Sequence, residues 1–177
     1  MRRTGALCSV LVLLLCGCEE KTKPSLIPLT QSDLPSQESW QSKVIVSDSA
    51  RTKAILWAGH IAVYKEQRYT LLDDSIHVDF FNELEEHTSV LTARRGKVND
   101  VTRDFEAHDH VVVVSDDGTV LRTEHLFWDN ARRKIHTDAF VDIVSRTEHI
   151  MGQGMQADQG LKNYEIFKVT GQALTNE

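Results

Sequence analysis

In Leu121-Arg122-Thr123-Glu124-His125-Leu126-Phe127-Trp128 the residues that can share an inner face fall at steps of two, three and two. Side chains alternate across an extended strand, so an odd step throws the row onto the opposite face unless the backbone bends or bulges there. A strand that keeps one face through such a step is a bent strand. The spacing recurs in Leu91-x-Ala93-x-x-Gly96-x-Val98, in Met155-x-Ala157-x-x-Gly160 and, more loosely, in Ala54-x-Leu56-x-x-Gly59-x-Ile61. The first two clear copies lie 30 residues apart and the third 34 further on, which predicts hairpins stacked in a repetitive, solenoid-like jellyroll.

Outward from these units the pattern stays β. Val44-Ile45-Val46, Ile76-His77-Val78-Asp79-Phe80, Val111 to Val114 and Val141-Asp142-Ile143 are rich in β-branched or aromatic residues. Turn signals interrupt them at intervals typical of all-β folds, and helix is scarce. Asp116-Asp117-Gly118 marks a hairpin. With Asp117-Gly118 as a two-residue type I′ loop, Val114 is expected opposite Leu121 and Val112 opposite Thr123, all four on one face, with Val113 and Arg122 on the other.

Leu91-Thr-Ala-Arg-Arg-Gly96, Asp117-Gly-Thr-Val-Leu-Arg-Thr123 running on to Leu126-Phe-Trp128, Ile135-His-Thr-Asp138 with Val141-Asp-Ile143, and Gly152-Gln-Gly-Met-Gln-Ala-Asp158 together resemble the LptC family, over roughly residues 40 to 172. The resemblance implies an all-β fold, an open, twisted antiparallel β-jellyroll of the kind shared by lipopolysaccharide-bridge proteins. It implies a non-enzymatic relay: lipopolysaccharide received from an inner-membrane ABC transporter and passed to an LptA-like bridge protein. The best-known members keep a transmembrane helix, from which this chain departs.

Acyl chains in transit need shelter from water, since a chain of about fourteen carbons exposes apolar surface worth on the order of 10 kcal/mol. From the alternation and the repeats, the expected lining of such a groove is Leu56, Ile61, Phe80, Leu91, Ala93, Val112, Val114, Leu121, Thr123, Leu126, Trp128, Ile143 and Met155. The small Ala93 and Thr123 are expected to leave room in it. Unpaired edges are docking surfaces for strand addition, so Val44 and Val46 near the start and Ile166 and Val169 near the end are the expected partner edges.

The N-terminus supplies an address. Arg2 and Arg3 precede the apolar run Ala6 to Leu15, in the order of a secretory signal, and the run is too short to span a bilayer of about 30 Å. Leu15-Cys16-Gly17-Cys18 resembles the bacterial lipobox, with small Gly17 just ahead of Cys18 as the lipid acceptor. The expected layout is therefore a signal over 1–17, a flexible tether over 18–39 rich in Ser, Thr, Gln and Pro, the jellyroll over 40–172 and a tail over 173–177. Lipidation tethers the domain to a membrane, expected to be the periplasmic face of the inner membrane; Glu19, after the acceptor, leaves sorting to the outer membrane open.

All three cysteines, Cys8, Cys16 and Cys18, lie in the signal or at the lipid-acceptor position, which excludes a disulfide, a thiolate nucleophile or a Cys-ligated zinc from the folded domain. The formal charge is −6, and near −8 once Arg2 and Arg3 are removed, a poor balance for nucleic acid. Two local basic runs stand against it: Arg94, Arg95 and Lys97, and Arg132, Arg133 and Lys134. His108-Asp109-His110 beside His125 and His136 matches no standard zinc spacing, and Ser49, Ser75, Ser89, Ser115 and Ser145 sit in no nucleophile elbow. Neither a metal, a cofactor nor an enzymatic activity is expected. A structural or lipid-binding lipoprotein of outer-membrane assembly on the same scaffold is the alternative.

Overall fold

A computed structural model describes residues 34–174; the expected signal, the acceptor Cys18 and most of the expected tether lie outside the described residues. Ten strands follow one another: β1 (Gln37–Asp48), β2 (Arg51–Tyr64), β3 (Tyr69–Phe81), β4 (His87–Ala93), β5 (Arg95–Asn99), β6 (Phe105–Ser115), β7 (Val120–Asp129), β8 (Lys134–Val144), β9 (Glu148–Ala157) and β10 (Tyr164–Leu174). β1 thus begins three residues ahead of position 40, and β10 runs two beyond 172. All pairings are antiparallel, in the order β1-β2-β3-β4-β6-β7-β8-β9-β10, with β5 prolonging the line of β4 between β3 and β6. β1 and β10 do not pair, so the sheet is an open jellyroll rather than a barrel.

A line of irregularities crosses the sheet at mid-strand. Register shifts fall between Ala58 and His60, His108 and Val111, Thr123 and Phe127, and Thr137 and Phe140, while β4 and β5 are separated at Arg94. Asp74, Ser75, Asp109 and His110 take positive φ on this line, and Asp and His are among the side chains that tolerate that region best. Gly154 on β9 has φ 76°. At Gly59 an added Cβ would lie 2.2 Å from the Asp74 carbonyl oxygen, so the backbones of β2 and β3 close up there as only glycine permits. The bulges fold the sheet along a crease into two leaves. One leaf holds 51–58, 76–81, 87–93, 111–115, 120–123, 140–144 and 148–153; the other holds the remaining halves of the same strands.

The steps of three in the sequence are this crease. In β7, Leu121, Thr123 and Leu126 are buried across the bend; Leu91, Ala93 and Gly96 behave likewise across Arg94. The third copy is misplaced: the bend in β9 lies at Gly154, ahead of Met155, and Gly160 belongs to the turn after the strand. Bulges free backbone groups, which side chains recapture: the Thr123 hydroxyl donates to the Phe140 carbonyl at 2.8 Å, and the Thr137 hydroxyl accepts from the Ala139 N–H at 3.0 Å. Among the described residues no buried side-chain polar atom lacks a partner.

The β6–β7 hairpin differs from the expected register. Ser115 N–H bonds the Thr119 carbonyl at 2.9 Å, which leaves a three-residue loop, Asp116-Asp117-Gly118, with Gly118 at φ 89°. The extra loop residue moves the pairing by one, to Val113↔Leu121 and Val111↔Thr123. Val112 and Val114 therefore face outward, Val114 with 41% of its surface exposed, while Val111 and Val113 enter the core.

Candidate functional site

The space between the leaves is the one place where strands from the whole chain converge. One leaf supplies Leu56, Ile76, Leu91, Leu121 and Ile143, the other Ile61, Leu72, Leu126, Ile135 and Met155, all buried. Alternation in each strand aims these side chains at the facing leaf, and burial of each such residue stabilises the fold by roughly 1.5–3 kcal/mol. Of the expected lining, Leu56, Ile61, Leu91, Ala93, Leu121, Thr123, Leu126, Ile143 and Met155 lie in this interior. Phe80 and Trp128 pack against it half-buried. Val112 and Val114 do not belong to it, for the register reason given above. Ala93 and Thr123 flank the crease, where the leaves converge; their small size fits that convergence.

Inner residues missing from the sequence-based lining include Leu72, Ile76, Val111, Val113, Ile135 and Val141. For Val111 and Val113 the signal was present in the triplet Asp116-Asp117-Gly118, which suits a type I turn closed by a left-handed glycine. For Ile76 it was obscured, because Asp74 and Ser75 lengthen the inward step from Leu72 to four residues.

Away from the crease the hairpin turns form the two rims of a mouth. Here the leaves meet at several places, among them the 2.7 Å hydrogen bond that the Tyr164 hydroxyl donates to the Glu148 carboxylate. Phe80 of β3 and Trp128 of β7, not sheet neighbours, bring their rings to 6.5 Å. Above them Glu83 on the β3–β4 turn accepts from Lys53 Nζ at 2.6 Å and from the Arg133 guanidinium of the opposite rim. Hydrogen bonds from Lys53 and then Arg133 hold the Glu83 carboxyl down at about 2. Elsewhere along the mouth the Ser89 hydroxyl donates to the Gln159 carbonyl at 2.9 Å, and Leu161 of the β9–β10 turn is buried beneath. In this state the interior is filled by its own side chains, with the mouth bridged.

Both outermost strands project beyond the core. No residue of β1 is buried, Val44 and Val46 are exposed together with Ile45 and Trp40, and along β10 Ile166 is half-buried while Val169 is exposed. The open edges thus carry apolar side chains as well as unpaired backbone groups.

The outer histidines form a row rather than gather round a point: His108 to His125 at 6.3 Å, His125 edge-on to Phe127 at 5.6 Å and Phe127 stacked on His136 at 5.4 Å between ring centroids. His125 is 2.6 Å from Asp138, and His108 3.3 Å from Glu106. Among the described residues no group of three or more His, Cys, Asp or Glu is arranged to hold a metal. Likewise no described helix is long and apolar enough to cross a membrane.

A search of the curated proteins finds no match. The sequence profile of the LptC family, described as lipopolysaccharide-assembly, LptC-related, matches residues 31–173. Matched over most of its length and built as an open all-β jellyroll, the chain belongs to the LptC family, whose non-enzymatic members serve lipopolysaccharide transport from an inner-membrane-associated position in the periplasm.

Proposed function

We propose that this protein receives lipopolysaccharide from an inner-membrane ABC transporter into the space between its leaves and passes it to an LptA-like bridge protein. The observation that carries the reading is an apolar interior, drawn from both leaves, inside a sheet whose first and last strands stay unpaired. Acyl chains replace the contacts that the leaves make with one another, so their shelter costs little net apolar exposure. The crease is the hinge on which the leaves part, and the contacts of Phe80 with Trp128 and of Glu83 with Arg133 separate first, being at the rim. Strand addition at Val44 and Val46 on β1 joins the transporter, and addition at Ile166 and Val169 on β10 joins the bridge protein. A diacylglyceryl group on Cys18 holds the domain at the periplasmic face of the inner membrane through the segment 18–39.

A photo-crosslinking residue at Leu121 or Trp128 tests this. The expected result is capture of lipopolysaccharide only while the transporter hydrolyses ATP. Capture of protein alone supports instead a structural role in outer-membrane assembly, the reading that the filled interior favours.

A further inference from the structure

The two basic runs meet different surroundings. Arg95 bonds Asp109 at 2.5 Å and Arg94 lies among Asp73, Asp74 and Asp109, so the two arginines of the first run stand in an acidic setting, while Lys97 lies 4.9 Å over the Tyr69 ring. The second lies on the mouth's rim, at the β7–β8 turn, and continues into a groove of about 470 Å³ on the outer face of β8, β9 and β10. Lys134 and His136 alternate outward along β8, Gln153 and Gln156 project from β9, and Lys168 and Phe167 close the side formed by β10. The floor is Gly154, where a Cβ would come within 2.9 Å of the Phe167 ring.

Charge in this groove is lopsided. Its two carboxylates are already engaged, Asp129 by Arg132 at 3.2 Å and Asp138 by His125 at 2.6 Å. Lys134 and Lys168 have no ion-pair partner among the described residues, in a chain of net charge −6. Two unpaired ammonium groups, two side-chain amides, of which Gln153 already donates one N–H to the Asp138 carbonyl at 2.6 Å, and an exposed aromatic face are the donor set for a phosphorylated saccharide: cations for phosphate, amides for hydroxyls and a flat ring for the sugar's C–H face. Strands two apart stand about 10 Å from one another, a span that suits a saccharide phosphorylated at more than one position better than a single phosphate.

We infer that this outer groove binds the phosphorylated saccharide headgroup of the lipid whose acyl chains occupy the interior. The inference rests on the proposed function for the identity of the lipid, and on the groove for the binding. Because the groove begins at the β7–β8 rim, a headgroup leaving the mouth there turns over the edge of the second leaf and settles against Lys134 and Lys168. The acyl chains then fix depth and the phosphates fix orientation.

The test uses the full chain, isotope-labelled, and the deacylated phosphorylated oligosaccharide of lipopolysaccharide as the probe. Saturable shifts are expected at the amides of Gln153, Gln156, Phe167 and Lys168. The Lys134→Gln/Lys168→Gln variant, whose side chains are outside the core, is expected to melt as the parent does and to bind about tenfold or more weaker. Phosphatase treatment of the probe is expected to weaken binding similarly. Equal affinity for inorganic phosphate, unchanged affinity in the double variant, or shifts confined to another face each overturn the proposal. The probe has no acyl chains, so its failure leaves capture at Leu121 untouched, and failure of that capture leaves this titration readable.

Discussion

Val44-Ile45-Val46 in β1 and Val111-Val112-Val113-Val114 in β6 are nearly the same sequence with opposite fates. Both runs form strands, as β-branched residues on a pleated backbone do. In β6 every second side chain is buried, because β4 and β7 flank it and the facing leaf covers it. In β1 all three are exposed, since β2 is its one neighbour and the core ends there. Intrinsic preference makes the strand, and position in the sheet decides whether it becomes core or interface. The exposed apolar run on β1 is a liability for a solitary domain and a ready surface for a partner.

Substitutions can break or sharpen this contrast. The largest effect is expected at the centre: Leu121→Ala removes a fully buried side chain and should cost about 2–5 kcal/mol in urea unfolding. Gly59→Ala should cost about 1–3 kcal/mol, because its Cβ meets backbone rather than a flexible side chain; a cost near zero would mean that the crease yields easily. Ile45→Lys on β1, like Val114→Ala on the outer face of β6, should stay within about 0.5 kcal/mol of the parent. For Ile45→Lys the loss should appear instead in co-purification with the transporter, and retained co-purification would remove β1 from the docking surface.

The smallest effect concerns the mouth. The Glu83 carboxyl is held at about 2 in the fold against 4.5 as its ordinary value, so its contribution is complete above about pH 5 and is lost as pH falls towards 2. Parent and Glu83→Gln should therefore differ in melting temperature at neutral pH and converge in acid. A gap that persists to pH 2.5 would assign the difference to packing rather than charge. The rim pair is exposed and salt-screened, so it is suited to holding a mouth that must also open.

Much of this molecule was legible in its sequence. The bent-strand spacing of Leu121 to Trp128 and of Leu91 to Val98 marked where the sheet creases, since a period-two row can survive a step of three only through a bulge. The all-β class followed from β-branched runs between turns. The β6–β7 register was misjudged by one residue because Asp117-Gly118 serves equally in a two-residue or a three-residue loop, and that single residue exchanges Val112 and Val114 for Val111 and Val113. The steps of four in β3, from Leu72 to Ile76, and in β6, from Ala107 to Val111, carried no recognisable signal, because left-handed Asp, Ser and His residues occur for many reasons.

Local chemistry thus determined the strands, their bends and the apolar and basic runs available for use, because those depend on neighbours along the chain. What only the tertiary structure decided is which of two like runs is used and how: which valines are core, and which lysines lack a carboxylate. Those outcomes depend on residues remote in sequence: β10 comes beside β8 only through pairing with β9, and Glu83 meets Arg133 only once the sheet has folded on its crease.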